Sequence, residues 1–523
     1  MDRRSPPRSF LLAASLALGA ALATPSHADA FCGFYVGGAD TSLYANATMV
    51  VLMRDGNRTV LSMQNDYLGP PEGFAMVVPV PVVLHEQDVK TLPRGVFQRI
   101  DHLAAPRLVE YWEHDPCAPE QRYMVESAGI AMPRTVAEGE GSGADDLQVR
   151  IEAQFAVAEY DIVILSAGDS TGLETWLRRE RYNIPQGAGA LLRPYVESGT
   201  KFFVARIDPS RVTFEHGRAV LSPLRFHYDT PDFWLPVRLG LLSSQGQQDL
   251  IVHVLARGQR YEVANYANVT IPTNLRVADA VRGEFGGFYE WVFRETVAHN
   301  PRTVVTEYAW DAMSCDPCPG PVLSPEDVMT LGADVIADRQ PYGFTLTRLH
   351  YRYGPDDLTE DLVFRAAPPI RGGQGVPAPD GTMEQGAQVA EHGQNMFQGR
   401  YVILHPWEGP IACDQPRRGR WGGPPGSYDG SPPSAIGGGN TAMESGLASG
   451  TAQGDTLLAG SIQWSAGRAS QATTSLGGTV PIAPRGGGCA SCSVPAQGTG
   501  DRMVAALGAL AALALAFVAR RHA

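Results

Sequence analysis

Lysine is almost missing from this sequence, and arginine carries nearly all of its positive charge. No cluster of basic residues of the kind that grips a phosphate backbone occurs, and the formal net charge is −13. Both features argue against a polyanion, so no nucleic-acid partner is expected. A regular strand–helix beat is also lacking, which argues against a doubly wound parallel sheet. No internal repeat is evident. His, Cys and carboxylate residues do not gather at the spacing of a complete metal site, and no cofactor is expected.

Long apolar runs are confined to the two ends. Arg3, Arg4 and Arg8 precede the apolar stretch FLLAASLALGAALA, and Ala28-Asp29-Ala30 supplies the small-x-small pattern read by signal peptidase. Residues 1–30 therefore read as a signal peptide processed after Ala30, with Phe31 as the mature start. A twin-arginine route is the lesser alternative, because Ser5-Pro6-Pro7 stands where apolar residues are usual. A second membrane anchor at residues 10–23 is disfavoured by the short run and the cleavage pattern. At the other end Met503 to Ala519 carries no charge and is followed by Arg520-Arg521. As a helix this run rises roughly 25 Å, enough to span a bilayer core of about 30 Å with snorkelling flanks. The two arginines would hold that end in the cytoplasm, leaving the body outside.

Between these ends the chain falls into three parts. Residues 31–135 are read as the N-terminal part of a folded body and residues 136–414 as its remainder. Residues 415–500 form a Gly/Ser/Pro-rich linker too poor in apolar surface to fold. A flexible coil of that length averages about 50 Å end to end. Residues 501–523 are the membrane anchor.

Within the body, Ala47–Met53 and Thr59–Met63 alternate about Asp55-Gly56, a hairpin signal. The run Phe74–Pro81 is apolar, and its prolines point to a sheet edge. Val89, Leu92, Val96, Phe97, Ile100 and Leu103 share one helical face, and Pro106 is placed to open a second short helix through Trp112. Residues 136–147 read as a polar loop. Strands are expected at 149–157, 160–166, 201–207, 219–228, 233–242, 250–255, 304–310, 344–353 and 401–405. Thr171-x-x-Glu174 matches a capping box opening a helix, and further helices are expected at 188–197, 285–297 and 325–331. The fold class is α+β, with mostly antiparallel sheets and interspersed helices, followed by the linker and a C-terminal transmembrane helix.

Seven cysteines are present, and in an exported chain they are expected to oxidise. Five lie in the body: Cys32, Cys117, Cys315, Cys318 and Cys413. Cys32 with Cys117 is the favoured first bridge, stapling the N-terminal part. Cys315 or Cys318 with Cys413 would similarly pin the end of the body. The odd number leaves one cysteine free, bonded to the tail or bonded between chains.

The stretches FCGFYVGGAD, LSMQNDYLGPPEGFAMVVPVP, LVEYWEHDPC, EYDIVILSAGDSTGLETWL and WDAMSCDPCPG together resemble the bacterial domain-of-unknown-function family DUF2330, from about Phe31 to Cys413. The resemblance implies an exported bacterial protein and transfers no catalytic residue. Separately, Gly488-Cys489, the apolar run 503–519 and Arg520-Arg521 are similar to myxobacterial C-terminal sorting signals. That similarity implies processing near a cysteine for surface display, with Cys489 and Cys492 as candidates. A second cysteine and only two arginines depart from that pattern, and a plain anchor is the alternative.

Gly168-Asp169-Ser170-Thr171-Gly172 satisfies G-x-S-x-G between an expected strand and helix, so Ser170 is a candidate nucleophile with His227 or His253 as base. Helix capping explains the same residues without catalysis. Cys315-Asp316-Pro317-Cys318 has the spacing of a redox pair, but Pro319-Gly320-Pro321 cannot continue a helix, and a structural bridge is the simpler reading. Zinc held by this pair together with Cys489 and Cys492 is weaker still. His227 with Asp229, and His114 with Asp115, offer too few ligands for a metal. Trp234, Tyr289, Trp291 and Phe293 could line a groove, though such spacing suits a core. The expectation is an exported, C-terminally anchored binding or scaffolding protein whose partners are the membrane and the export and sorting machinery. A secreted serine hydrolase using Ser170 and a thiol redox protein using Cys315 and Cys318 are the alternatives.

Overall fold

The computed structural model describes residues 34–36, 44–45, 48–64, 67–68, 75–118, 149–180, 188–215, 218–243, 246–390, 393–425 and 434–437. All belong to the first of the chain's two units, Met1–Ser475. Ala30, Cys32, the 136–147 loop, Cys489, Cys492 and the run 503–519 lie outside the described residues. Among the described residues no helix is long and apolar enough to cross a membrane.

The hairpin about Gly56 forms as expected, Thr48–Asp55 with Arg58–Gln64, and Gly56 takes the left-handed φ of 54°. Thr48–Asp55 reads as a continuous apolar run rather than an alternating one because both of its faces are covered. Val50 and Leu52 enter one core, while Met49, Val51 and Met53 enter another on the opposite side. This strand lies inside an 11-stranded mixed sheet that also holds Gln248–Arg257, Phe344–Tyr353 and Thr303–Asp311. A 5-stranded antiparallel sheet, built from Phe34–Val36, Ala75–Val80, Lys201–Ile207, Tyr160–Ala167 and Val149–Val157, covers one face of it. On the outer face of that smaller sheet pack the helices Ser170–Arg179 and Ala188–Glu197.

The other face of the large sheet is covered by the helix Gly95–Ala104 and the segment Leu323–Ile336. Val96, Phe97, Ile100 and Leu103 of that helix are fully buried, at the predicted spacing. Gly332, at φ 145°, lets this segment lie against Val60 and Met53, where an added Cβ would come within 2.9 Å of Val60. Helix Phe285–His299 packs beside it on Val305, Ala309 and Tyr401. Mixed sheets with interspersed helices make the fold α+β, and most pairings are antiparallel.

Several expectations are corrected. Residues 107–113 form a strand, not a helix: Arg107–Glu113 pairs parallel to Arg400–His405. Its aromatic and β-branched residues are buried on both faces, with Leu108 in one core and Val109 and Tyr111 in the next. Ala75–Val80 is not an edge strand, since it lies between Phe34–Val36 and Lys201–Ile207. Pro79 is tolerated because the Phe34–Val36 strand pairs only as far as Val77, so no ladder donor is required there. Residues 233–242 give a two-residue strand, Trp234–Leu235, and then the 3-10 helix Arg238–Ser243. The fold also runs past 414, because Trp421–Gly422 and Ser434–Gly437 both pair with Arg107–Glu113.

The disulfide expectation is corrected as well. Cys117 bonds Cys413, with a Cα–Cα distance of 5.6 Å, and Cys315 bonds Cys318. Parallel pairing explains the first bridge. Arg107–Glu113 and Arg400–His405 run side by side in the same direction, so the cysteines beyond the end of each strand emerge at the same end.

Candidate functional site

The strand Phe344–Tyr353 carries Arg348, His350 and Arg352 at every second position, so all three side chains point to one face. Antiparallel register sets His253 directly opposite Arg348 and Asp249 directly opposite Arg352. On the other side Thr303–Asp311 carries a β-bulge between Thr306 and Tyr308. The residue left unpaired is Glu307, which by strand alternation shares the face of Val305, the residue directly opposite His350.

These groups close into one buried network. Glu307 accepts from Arg348 Nε at 2.6 Å, lies 2.7 Å from His350 Nδ1 and accepts from the Tyr289 hydroxyl. Arg348 also donates to Asp101 of the helix Gly95–Ala104. His350 Nε2 lies 3.0 Å from Asp249, which takes two hydrogen bonds of 2.8 Å from Arg352. Arg352 then donates to Glu290 at 2.8 and 3.1 Å. The Phe293 ring stacks on His350 at 3.8 Å between centroids. Asp101, Glu307, Asp249 and the partly exposed Glu290 face Arg348, His350 and Arg352, so every buried cation of the network has carboxylate partners, as burial requires.

Burial works to raise the Glu307 carboxyl, but the charges of His350 and Arg348 and the hydrogen bonds it accepts outweigh this and bring it down to about 2. Burial would lower His350, yet Glu307 and Asp249 push it up to about 9. Asp249 is held well below the carboxylate range by His350 and Arg352 against the opposing effect of burial. His253 is the exception. Burial, aided by the Arg348 charge, holds its ring neutral, and its Nε2 lies 3.4 Å from Arg348. Its Nδ1 is buried without a partner among the described residues. The hydrogen bonds and ion pairs of this network tie together three strands and two helices. It is a structural device.

A second polar cluster lies where the Arg107–Glu113 and Arg400–His405 strands meet the Cys315–Cys318 loop. Arg107 and Arg400 are both fully buried, and neither has a carboxylate ion pair among the described residues. Arg107 donates to the Pro317 carbonyl at 2.8 Å and to that of Leu103, and lies over the Tyr308 ring. Arg400 donates to Asn274 Oδ1 at 2.7 Å, the Tyr111 hydroxyl at 2.9 Å and the Gln374 carbonyl at 2.6 Å. Burial, with the neighbouring Arg400 charge, brings Arg107 down to about 10, and burial likewise lowers Arg400.

The surface offers a third feature. An open cleft of about 460 Å³ sits at the tip of the Gly56 hairpin, lined by Asp55, Arg58, Asp229 and Arg339 among others. Its volume falls in the usual range of small-ligand sites, about 300–1,000 Å³. Arg58 is committed to Asp229, at 2.6 and 2.8 Å, and to the Val335 carbonyl. Arg339 is not committed: it makes no hydrogen bond or ion pair among the described residues. Its φ of 49° is unusual for a long side chain, and residues held in that region cost about 1–3 kcal/mol and concentrate at ligand clamps.

The sequence-derived candidates are dispersed. Ser170 is the first residue of its helix and is buried; the cap is Asp169, whose carboxylate accepts from the amides of Thr171 and Gly172. Asp169, and not Thr171, therefore opens the helix. The strand feeding it, Tyr160–Ala167, is antiparallel to both neighbours. Neither candidate base is paired with Ser170: His253 faces Arg348, and His227 lies 3.6 Å from Asp88. Asp229 is taken by Arg58, and Asp115 accepts from the Cys117 amide. No group of three metal-ligating residues occurs among the described residues. Tyr289, Trp291 and Phe293 are core residues of one helix, and Trp234 packs near Tyr195. Sequence reasoning missed Glu307, Arg348 and His350. The period-2 run Arg-Leu-His-Tyr-Arg at 348–352 is the signal that marks them.

A family model described as "Uncharacterized protein conserved in bacteria (DUF2330)" matches residues 26–365. Comparison with curated proteins and with solved structures gives no match. The match takes in Thr48–Asp55, Gln248–Arg257 and Phe344–Tyr353, the strands at the centre of the large sheet, and ends before Arg400–His405. Since it covers well over half of the sequence, the chain belongs to the DUF2330 family.

Proposed function

We propose that this chain is an exported cell-envelope protein, fastened by its C-terminal end, whose body binds a small ligand outside the cytoplasm. Export is supported by the signal-like residues 1–30 and by two disulfides, which persist in oxidising compartments and are rare in the cytosol. Anchoring is supported by the uncharged run 503–519 followed by Arg520-Arg521. The likeness of Gly488-Cys489, this run and the two arginines to a sorting signal supports display at the cell surface.

The observation that carries binding is the cleft at the Gly56 hairpin, with its uncommitted, left-handed Arg339 beside Arg58 and Asp229. A guanidinium without a carboxylate partner is suited to a carboxylate or phosphate group on the ligand. Calorimetric titration of the purified protein with acetate, succinate and inorganic phosphate is expected to give saturable heat for at least one of them. Arg339→Ala should weaken that binding tenfold or more. Absence of saturable heat for all three removes the cleft from consideration. Location is tested separately: fractionation and protease treatment of intact cells should find the body membrane-associated, protease-accessible and lacking residues 1–30. Recovery of full-length reduced chain from the cytosol would sink the export reading.

A further inference from the structure

The loop between Cys315 and Cys318 is held by its backbone rather than by its side chains. Gln398 Nε2 donates to the Asp316 carbonyl, Arg107 Nη1 donates to the Pro317 carbonyl, and His102 Nε2 lies 3.3 Å from the Pro319 carbonyl. Gln398 and Arg107 are fully buried, and Asp316 is the carboxylate that favours the charged forms of both Arg107 and Arg400. The loop therefore lies beside two buried guanidiniums that have no ion pair among the described residues, and supplies Arg107 with the Pro317 carbonyl and both with the charge of Asp316.

The disulfide that shapes this loop is unlike the other one. It joins residues three apart, whereas Cys117–Cys413 joins residues 296 apart. Restriction of the unfolded chain grows with loop length, so the short bridge adds the smaller share of global stability. Its two residues also differ in exposure. Cys315 rests against the core formed with the helix Gly95–Ala104, while Cys318 is exposed.

We propose that Cys315–Cys318 is a thiol–disulfide exchange site, entered at Cys318, whose partner is an external dithiol or the dithiol of an envelope oxidoreductase. The partner thiolate attacks Cys318 Sγ, a new S–S bond forms there, and the Cys315–Cys318 bond breaks. The electron pair leaves on Cys315 Sγ, which takes a proton from water. The partner's second thiolate then attacks its own sulfur in the mixed disulfide, releasing Cys318 as a thiolate and leaving the partner oxidised by two electrons. Exchange needs access to the attacked sulfur, and here the more exposed residue is Cys318. Reduction frees the loop that bonds Arg107 and places Asp316 near both Arg107 and Arg400, so the redox state of the bridge is coupled to a buried pair of cations. The inference does not depend on the cleft binding a ligand.

The full chain is incubated under native conditions with dithiothreitol, quenched with iodoacetamide and mapped by peptide mass spectrometry. Cys315 and Cys318 should become alkylated at least tenfold faster than Cys117 and Cys413. Equal rates, or reduction of Cys117–Cys413 first, would overturn the proposal. Direction is tested with single variants and dithionitrobenzoate. The Cys318 thiol of Cys315→Ser should form the mixed disulfide at least tenfold faster than the Cys315 thiol of Cys318→Ser. Equal reactivity of the two thiols in folded protein would overturn entry at Cys318. Native far-ultraviolet dichroism of both variants ensures that the comparison reads access rather than unfolding.

Discussion

Glu307→Ala is expected to destabilise the protein by about 3–5 kcal/mol, read as the shift in urea midpoint near pH 6. The size reflects what the substitution strands. Glu307 accepts from Arg348, His350 and Tyr289, and its removal leaves two buried cationic side chains with half of their negative partners. A buried charge deprived of its partner costs far more than a surface pair yields. A loss below about 1 kcal/mol would mean that water reaches the network, contrary to the burial of Glu307, Arg348 and His350.

The same network gives stability a two-sided pH dependence. Glu307 in the folded state is held at about 2, below its ordinary 4.5, so its contribution is complete above about pH 4.5 and is lost as pH falls toward 2. His350 is held at about 9, above its ordinary 6.5, so its contribution is complete below about pH 6.5 and is lost as pH rises through 9. The network is strongest between these limits. Urea midpoints should therefore fall from pH 6 to pH 9, and His350→Gln should flatten that alkaline limb. An alkaline limb unchanged in the variant would assign the loss to other groups.

Replacing Cys117 and Cys413 together by serine is expected to cost about 2–5 kcal/mol, toward the upper end because the closed loop is long. The bridge spans 296 residues, so it restricts most of the unfolded body at once. It also ties the ends of two parallel strands that belong to distant parts of the chain, Arg107–Glu113 and Arg400–His405. The matching double serine variant at Cys315 and Cys318 should cost less, because its loop is short. Denaturant titration of both variants, with the remaining disulfide verified intact, distinguishes them. Equal losses would show that loop length is not what sets the contribution.

Local elements were legible in the sequence, because their causes are local. The Asp55-Gly56 turn, the helical spacing of Val96 to Leu103, the start of the Phe285 helix and the extent of Phe344–Tyr353 all arise from turn chemistry and from side-chain period. Failures arose where a distant partner overrode the local pattern. Arg107–Glu113 reads as a short helix after Pro106, and becomes a strand because Arg400–His405 and Ser434–Gly437 flank it. The segment beyond residue 414 reads as linker from its glycine and proline content, yet supplies two short strands to the same sheet.

Composition, the charge balance and the spacing of apolar residues were enough to determine an α+β body between two apolar ends, with two cysteines three apart placed in a non-helical loop. Only the tertiary structure decided which cysteines bond, which strand pairs with which, and that Glu307 meets Arg348 and His350. The Glu307 contacts with Arg348 and His350 and the Cys117–Cys413 bridge join residues 41 to 296 positions apart. Their geometry depends on sheet register, including the register shift at Glu307. Register is an energetic choice made by the whole packed sheet, so no single strand's sequence contains it.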